Sequence, residues 1–149
     1  MQTTTLYAQD FYAWTQYQVG LLRAGRLGEV DLENLVDEIE SLGKQQQQEL
    51  RNRLGVLLGH LLKWHYQPEA RSKSWVYTIK EQRREIRRHL KENPSLKPYL
   101  NEAIVIGYEK GLDLVGRETP LYPEQLSQSC PFSETEIFEN PVVWQPAAP

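Results

Sequence analysis

The chain has 149 residues, of which 17 are Lys or Arg, 20 are Asp or Glu, three are His and one is Cys. This length predicts one domain, and a hydrophobic content of 40% suffices for a core, which excludes a wholly disordered chain. The lone Cys130 cannot form an internal disulfide, and the first residues resemble no signal peptide. The longest apolar stretch falls well short of the roughly 20 residues of a membrane-spanning helix. We therefore expect a cytoplasmic protein that does not enter a membrane.

Four segments carry the 3.6-residue apolar repeat of amphipathic helices, and none carries the alternation of a strand. The first begins after Asp10 as N-cap, and the second runs from Asp31 to a stop at Pro68. This pattern predicts an all-α fold. A break of the second helix at Gly43 stays open, because glycine costs about 1 kcal/mol there relative to alanine.

The third and fourth segments complete a four-helix-bundle-like single domain. The third opens near Ser72 or Ser74 and ends before Pro94, and the fourth takes Ser95 as its N-cap. Within the fourth, Gly107 and Gly111 lie one helical turn apart. Small residues at this spacing allow another helix to approach closely, so we expect close packing there.

A proline-rich C-terminal extension follows the helices, with six prolines from residue 119 onward. We therefore predict a helical bundle over residues 1–118 and an extended segment over 119–149 that packs on it. Ser133 and Glu136 have the spacing of a capping box ahead of Ile137, which predicts one short helix in this extension.

A dense aromatic segment surrounds the turn between the second and third predicted helices. An Arg beside a Trp face can form a cation–π contact, and two antiparallel helices would bring the aromatic rings together. Such a cluster forms either a binding pocket with a polar rim or an aromatic plug at the end of the bundle. The candidate binding residues of this turn are His60, Trp64, Tyr66, Arg71 and Trp75.

Several strings of residues are similar to those of a known bacterial family. They are Leu61-Leu62-Lys63-Trp64, Tyr66-Gln67-Pro68, Arg71-Ser72, Ser74-Trp75, Asp10-Phe11-Tyr12-Ala13-Trp14, Asp37-Glu38-Ile39-Glu40-Ser41-Leu42-Gly43, Gln82-Arg83, Pro94-Ser95-Leu96-Lys97, Glu118-Thr119 and Cys130-Pro131. With these strings the chain resembles the Domain of Unknown Function 29 family. The resemblance implies a helical, bundle-like fold without an established activity, and it supplies no catalytic residues.

Charge is distributed unevenly along the chain. Residues 71–91 hold eight basic and two acidic residues, whereas residues 29–49 hold seven acidic residues and one Lys. If the second helix is continuous and the turn is centred near residue 68, residues that lie opposite each other on the two antiparallel helices have numbers that sum to about 136. Arg87 then lies level with Glu49. Asp37 and its acidic neighbours then lie beyond the basic helix. Either the helix breaks at Gly43, or the basic face is left for a second copy or a polyanion.

Neither a metal site nor a cofactor site is predicted. His60 and His65 are five residues apart, which separates them by about 140° around a helix, so they do not share an ion. Cys130 has no His beside it in sequence, and the chain has no glycine-rich phosphate loop.

We therefore expect a non-enzymatic interaction protein that binds a partner protein or a second copy through charged helix faces and the aromatic turn. The alternative is a nucleic-acid-binding protein whose basic third helix presents one face to phosphates, although the net charge of −3 disfavours it. That face consists of Arg84, Arg87, Arg88 and Lys91.

The alternative extends to a HEPN-like ribonuclease, in which an Arg precedes an acid–base His by a few residues. Arg53 with His60 and Arg84 with His89 have such spacing. The competing interpretation makes His60 a core-edge residue and His89 a solvated residue at a helix end.

Overall fold

The computed structural model describes residues 3–146, with side chains from residue 5, so residues 147–149 of the predicted extension lie outside the described residues. The prediction of an all-α fold is confirmed, because the described residues form helices and no strand. The helices are α1 (Thr3–Gln9), α2 (Phe11–Arg23), α3 (Leu32–Tyr66), α4 (Lys73–Glu92), α5 (Leu100–Glu118) and α6 (Glu134–Phe138). Four short 3₁₀ helices occupy Leu27–Glu29, Pro68–Ala70, Pro94–Tyr99 and Pro123–Gln125.

Helix α3 is continuous over 35 residues and does not break at Gly43. Contacts along the chain nevertheless form two compact units that meet in sequence between Gln45 and Gln46. The N-terminal unit contains α1, α2 and α3 up to Gln45, and the C-terminal unit contains the rest of α3 and all later elements. The predicted division of the chain into a helical bundle over residues 1–118 and an extended segment over residues 119–149 stays a prediction.

In the N-terminal unit, polar contacts join α2 to the start of α3. Asp10 caps α2 as predicted, with its carboxylate accepting from the Ala13 N–H at 3.1 Å. The buried Asp31 carboxylate accepts from Trp14 Nε1 at 2.9 Å, and Gln18 Oε1 accepts from the Asp31 N–H at 2.8 Å. The two helices are thereby fixed to each other at the point where α3 begins.

In the C-terminal unit, the core is built from α3, α4 and α5 around fully buried residues such as Leu54, Leu58 and Ile79. The contacts between α3 and α4 follow the predicted antiparallel register. His89 Nδ1 lies 2.6 Å from Glu49 Oε2, and Lys63 Nζ lies 4.7 Å from the centre of the Trp75 ring.

Close packing between α3 and α5 depends on glycines on both helices. A Cβ atom on Gly111 would lie 2.9 Å from the backbone N of Gly59, and one on Gly107 would lie 2.7 Å from Leu54 Cβ. The close approach predicted at Gly107 and Gly111 is confirmed, and its partner is α3.

The predicted start of the last long helix was wrong. Ser95 does not cap an α-helix, because Pro94–Tyr99 form a 3₁₀ helix and α5 begins only at Leu100. Lys97 precedes Pro98, and a residue before proline is disfavoured in the α region, so the chain forms a tighter turn that buries Leu96. Helix α1 was not predicted at all.

The C-terminal segment is part of the core of its unit. The short helix α6 has a capping box between Ser133 and Glu136, and it buries Ile137 in the hydrophobic core of the unit. Val142 is buried in the same core, and the Tyr108 hydroxyl donates to the Ser127 carbonyl at 2.5 Å.

Candidate functional site

The cations of the aromatic turn are engaged within the C-terminal unit. The Arg71 guanidinium lies over the Trp64 ring at 4.6 Å, and its Nε donates to the Trp64 carbonyl at 2.8 Å. Lys63 is 5% exposed, with Nζ over Trp75 and 3.1 Å from Glu118 Oε1. These contacts hold the turn together and leave little of either cation for a ligand.

One cavity beside the turn involves a single candidate residue. Trp64 lines this cavity of about 140 Å³ together with residues of the C-terminal segment, and its volume is well below the roughly 300 Å³ of small ligand sites. His60 is half-buried with Nδ1 2.8 Å from the Val56 carbonyl oxygen, and burial lowers the pKa of its imidazole. Tyr66 is partly exposed, and its ring contacts that of His65 edge-on.

Arg83, one of the eight basic residues between positions 71 and 91, is buried and holds the C-terminal segment. Its guanidinium donates to the carbonyl oxygens of Ile137 at 2.7 Å, Asn140 at 2.7 Å and Glu136 at 3.0 Å. Burial, and to a lesser degree the neighbouring Arg87, lowers the pKa of Arg83. One signal was present in the sequence, because Ile79, Arg83 and Ile86 share a helix face by spacing.

The remaining arginines of α4 are divided between two environments. Arg87 Nη2 donates to the Phe138 carbonyl at 2.5 Å, so this arginine also contacts the C-terminal segment. Arg84 and Arg88 are exposed, and both lie near the Glu85 carboxylate, at 3.6 Å and 3.3 Å. The predicted basic face is therefore narrower than its sequence suggests.

His89 is buried, and its interpretation as a solvated helix-end residue was wrong. Its side chain is 4% exposed, with Nδ1 on Glu49 and Nε2 2.8 Å from the Gln46 carbonyl oxygen. The antiparallel register turns this position of α4 toward α3. Because both ring nitrogens already have partners, the arrangement does not support the ribonuclease alternative.

An apolar depression in the N-terminal unit lies between α2 and α3, and we call it the groove. It encloses about 370 Å³. Its walls expose large apolar side chains, with Ile39 and Leu42 each 59% exposed. The groove is lined by Phe11, Trp14, Thr15, Gln18, Val19, Leu22, Leu35, Glu38, Ile39, Leu42 and Gln45.

The floor of the groove contains a buried polar group. Gln18 is 2% exposed, and its Nε2 donor has no hydrogen-bond partner among the described residues, although its Oε1 is bound by Asp31. Trp14 is also buried there, and its ring contacts that of Tyr7, whose hydroxyl donates to the Glu38 carboxylate. The groove thus has an ordered aromatic base, and the Gln18 Nε2 donor is buried within the unit.

The N-terminal unit carries an excess of acidic residues. Residues 5–45 hold seven acidic and three basic side chains. Ile39 and Leu42 belong to the apolar repeat of the second predicted helix, but the spacing of apolar residues does not report whether a face is covered. The charge excess was visible in the sequence, whereas the groove beside it was not.

No group of three or more His, Cys, Asp or Glu in the described part of the chain is placed to hold a metal ion. None of the helices in residues 3–146 combines the length and the apolar character needed to span a bilayer.

The fold and the groove define an all-α domain with an exposed apolar surface. The chain belongs to the family described as Domain of unknown function DUF29, whose model matches residues 6–142. No curated protein and no solved structure matches the chain.

Proposed function

We propose that the chain is a non-enzymatic, cytoplasmic interaction protein that binds a partner protein in the groove between α2 and α3. The observation that carries this proposal is the exposure of Val19, Leu22, Ile39 and Leu42 around one depression. Contiguous apolar surface bordered by polar residues is typical of protein–protein contact sites.

Covering the groove would contribute favourable free energy to a contact. Fully burying an exposed large aliphatic side chain contributes about 1.5–3 kcal/mol, and the half-exposed side chains of the groove would each contribute a part of this. These residues are held on two helices joined by the Trp14–Asp31 hydrogen bond, so the surface is ordered before a partner arrives.

The basic helix α4 supports a nucleic-acid partner less well. Arg83 and Arg87 already donate to carbonyl oxygens of the C-terminal segment. Arg84 and Arg88 lie beside Glu85, whose carboxylate would repel a phosphate. The large apolar side chains around the groove, by contrast, remain exposed.

Site-specific photo-crosslinking tests the proposal. A photoreactive residue replaces Leu42 in the groove of the full-length chain, and in a separate variant it replaces Val105, which is 61% exposed on α5. Both variants are irradiated in the cells that produce the protein, and the adducts are identified by mass spectrometry. Val105 controls for crosslinking that depends on exposure alone.

We expect the Leu42 variant to capture one protein through one segment and the Val105 variant not to capture it. Absence of an adduct at Leu42, or equal capture at both positions, would overturn the proposal. An adduct of the chain with itself would show that the groove binds a second copy of this chain and not another protein.

A further inference from the structure

We infer that the chain associates with a second copy of itself through two oppositely charged helix faces, neither of which is the groove. The first face, the basic stripe of α4, consists of Lys73, Lys80, Arg84, Arg87 and Lys91. The second face, the acidic stripe of α3, consists of Glu33, Asp37 and Glu40. All of these side chains are exposed. The acidic stripe of one copy binds the basic stripe of another.

The basic stripe is not neutralised by carboxylates of its own helix. Its lysines form no ion pair with any residue that the structure describes, and Arg84 shares the single carboxylate of Glu85 with Arg88. Glu85 lies about 100° around the helix from Arg84, and Glu81 lies about 100° from Lys80, so both are beside the stripe. The stripe itself stays positive along its length.

The acidic stripe is likewise unmatched. Glu33, Asp37 and Glu40 form no ion pair with another residue in the described part of the chain. A break of α3 at Gly43 would have allowed the two charged segments of one chain to neutralise each other, but α3 is continuous. Of the two alternatives that the charge distribution left open, the one that requires a second molecule is therefore favoured.

The two stripes have matching intervals. The acidic residues follow one another at four and then three residues, and the basic stripe repeats these intervals from Lys80 through Arg84 to Arg87. Each of these sets covers about 60° around its helix and about 10 Å along it. When two such helices from different copies lie side by side, three pairs of opposite charges form together.

A second copy fits the basic stripe better than a nucleic acid does. The chain has a net charge of −3, which opposes a polyanion with one charge per phosphate more than it opposes another copy with the same small charge. The second copy also brings its carboxylates at fitting intervals. Because exposed ion pairs are individually weak, we expect a reversible association that high salt dissociates.

Reversing the charge of each stripe tests the inference on the full-length chain. The reversed-acidic variant carries Glu33→Lys, Asp37→Lys and Glu40→Lys. The reversed-basic variant carries Lys80→Glu, Arg84→Glu and Lys91→Glu. A control variant makes the same change of net charge as the reversed-basic variant at exposed positions outside α4, with Lys97→Glu, Lys110→Glu and Arg117→Glu. Sedimentation velocity measures self-association at low and high salt, and circular dichroism checks that each variant keeps its helices.

We expect the wild type to associate at low salt, with a dissociation constant at least tenfold higher at high salt. Each reversed variant alone should associate at least tenfold more weakly than the wild type, because both of its stripes then have the same sign. An equimolar mixture of the two reversed variants should return to within about threefold of the wild type, since every stripe again meets one of opposite sign. The control variant should stay within about threefold of the wild type.

Three results would overturn the inference: a wild type that is monomeric at low salt, an association that neither reversed variant weakens, or a mixture that associates no better than its two components. Anisotropy of fluorescent polyuridylic acid examines the polyanion. Binding of this RNA by a monomeric wild type, lost in the reversed-basic variant, would assign the basic stripe to a nucleic acid and overturn the inference as well.

The groove is tested separately from the stripes. Leu42 lies about 180° around α3 from Glu33, so the crosslink at Leu42 reports on the groove and not on the acidic stripe. Loss of the Leu42 adduct would overturn the proposed function and leave the inference standing. Failure of the charge-reversal experiment would overturn the inference and leave the proposed function standing.

Discussion

The buried guanidinium of Arg83 donates from Nε to the carbonyl oxygen of Ile137 at 2.7 Å, across 54 positions of the chain. Ile137 lies near the C-terminal end of α6, where helix carbonyls lack helical partners and carry partial negative charge. A cation at this end satisfies the carbonyls and is stabilised by them, and the same side chain also reaches Asn140. Arg83 therefore fastens the C-terminal segment to α4.

Replacing Arg83 by alanine should lower the free energy of unfolding by about 3 kcal/mol, because one buried and two partly buried hydrogen bonds from a charged donor would be lost. Limited proteolysis should then cut the C-terminal segment faster than in the wild type. Urea denaturation measures the first effect and mass spectrometry of the fragments the second. The neighbouring Arg84→Ala is the control, and its exposed side chain should change stability by no more than about 0.5 kcal/mol. Equal effects of the two substitutions would refute this role of Arg83.

Adding one methyl group should have opposite effects at two glycines. Gly111→Ala should destabilise the protein by about 2 kcal/mol, because the new Cβ would lie 2.9 Å from the backbone of α3 and must push the helices apart. Gly43→Ala points into open space and should stabilise α3 by about 0.5–1 kcal/mol. Thermal unfolding of both variants checks the pair. A stabilising Gly111→Ala would contradict the close approach of α3 and α5.

Asp31 should stabilise the N-terminal unit through its hydrogen bonds. Asp31→Ala leaves the buried Trp14 N–H without its acceptor, and we expect a loss of about 2 kcal/mol of unfolding free energy. The measurement is chemical denaturation followed by Trp fluorescence. The exposed Asp37→Ala is the control, and an equally small effect of both substitutions would show that the contact is dispensable.

The same carboxylate predicts a pH dependence. Burial alone would raise the pKa of Asp31, but hydrogen bonds from Asn34 and Trp14 outweigh burial and hold the pKa below its ordinary 3.8. The stabilisation is therefore complete above about pH 4 and is lost as the pH falls through the lower pKa of the folded state. Chemical denaturation between pH 6 and pH 2 should show that the free energy of unfolding falls more steeply in the wild type than in Asp31→Ala. Parallel curves of unfolding free energy against pH would contradict the assignment of this pH dependence to Asp31.

His60 predicts a pH effect nearer neutrality. Burial, reinforced by Lys63, lowers the pKa of His60 below its ordinary 6.5, against the opposing effects of the Val56 carbonyl and Glu118. The folded state thus binds this proton less readily than the unfolded state, so stability should decline as the pH falls below about 6.5. His60→Gln should reduce the decline between pH 7.5 and pH 5 in urea denaturation. An unchanged slope would show that another group is responsible.

Local signals in the sequence predicted much of the fold, because caps and breakers act over a few residues. Asp10 and Ser72 cap their helices as predicted, and α3 ends before Pro68. The start of α5 was missed because Ser95 is an adequate cap by composition, and only the burial of Leu96 in a 3₁₀ turn decides against it.

The contacts of the candidate surfaces were harder to predict, because they depend on residues far apart in the chain. The partners of Arg83 lie more than 50 positions away, so its basic character alone indicated a solvent-exposed face. Ile39 and Leu42 show the converse, since apolar periodicity suggested a covered face where the structure leaves both exposed.

The most direct test of the account measures the Leu42 crosslink in two matched backgrounds. Val19→Asp changes a valine that lines the groove, and Val105→Asp makes the same change at an exposed valine of α5. The account predicts that Val19→Asp reduces the yield of the partner adduct at least tenfold and that Val105→Asp leaves it at the wild-type level. Equal yields in the two backgrounds would contradict binding in the groove.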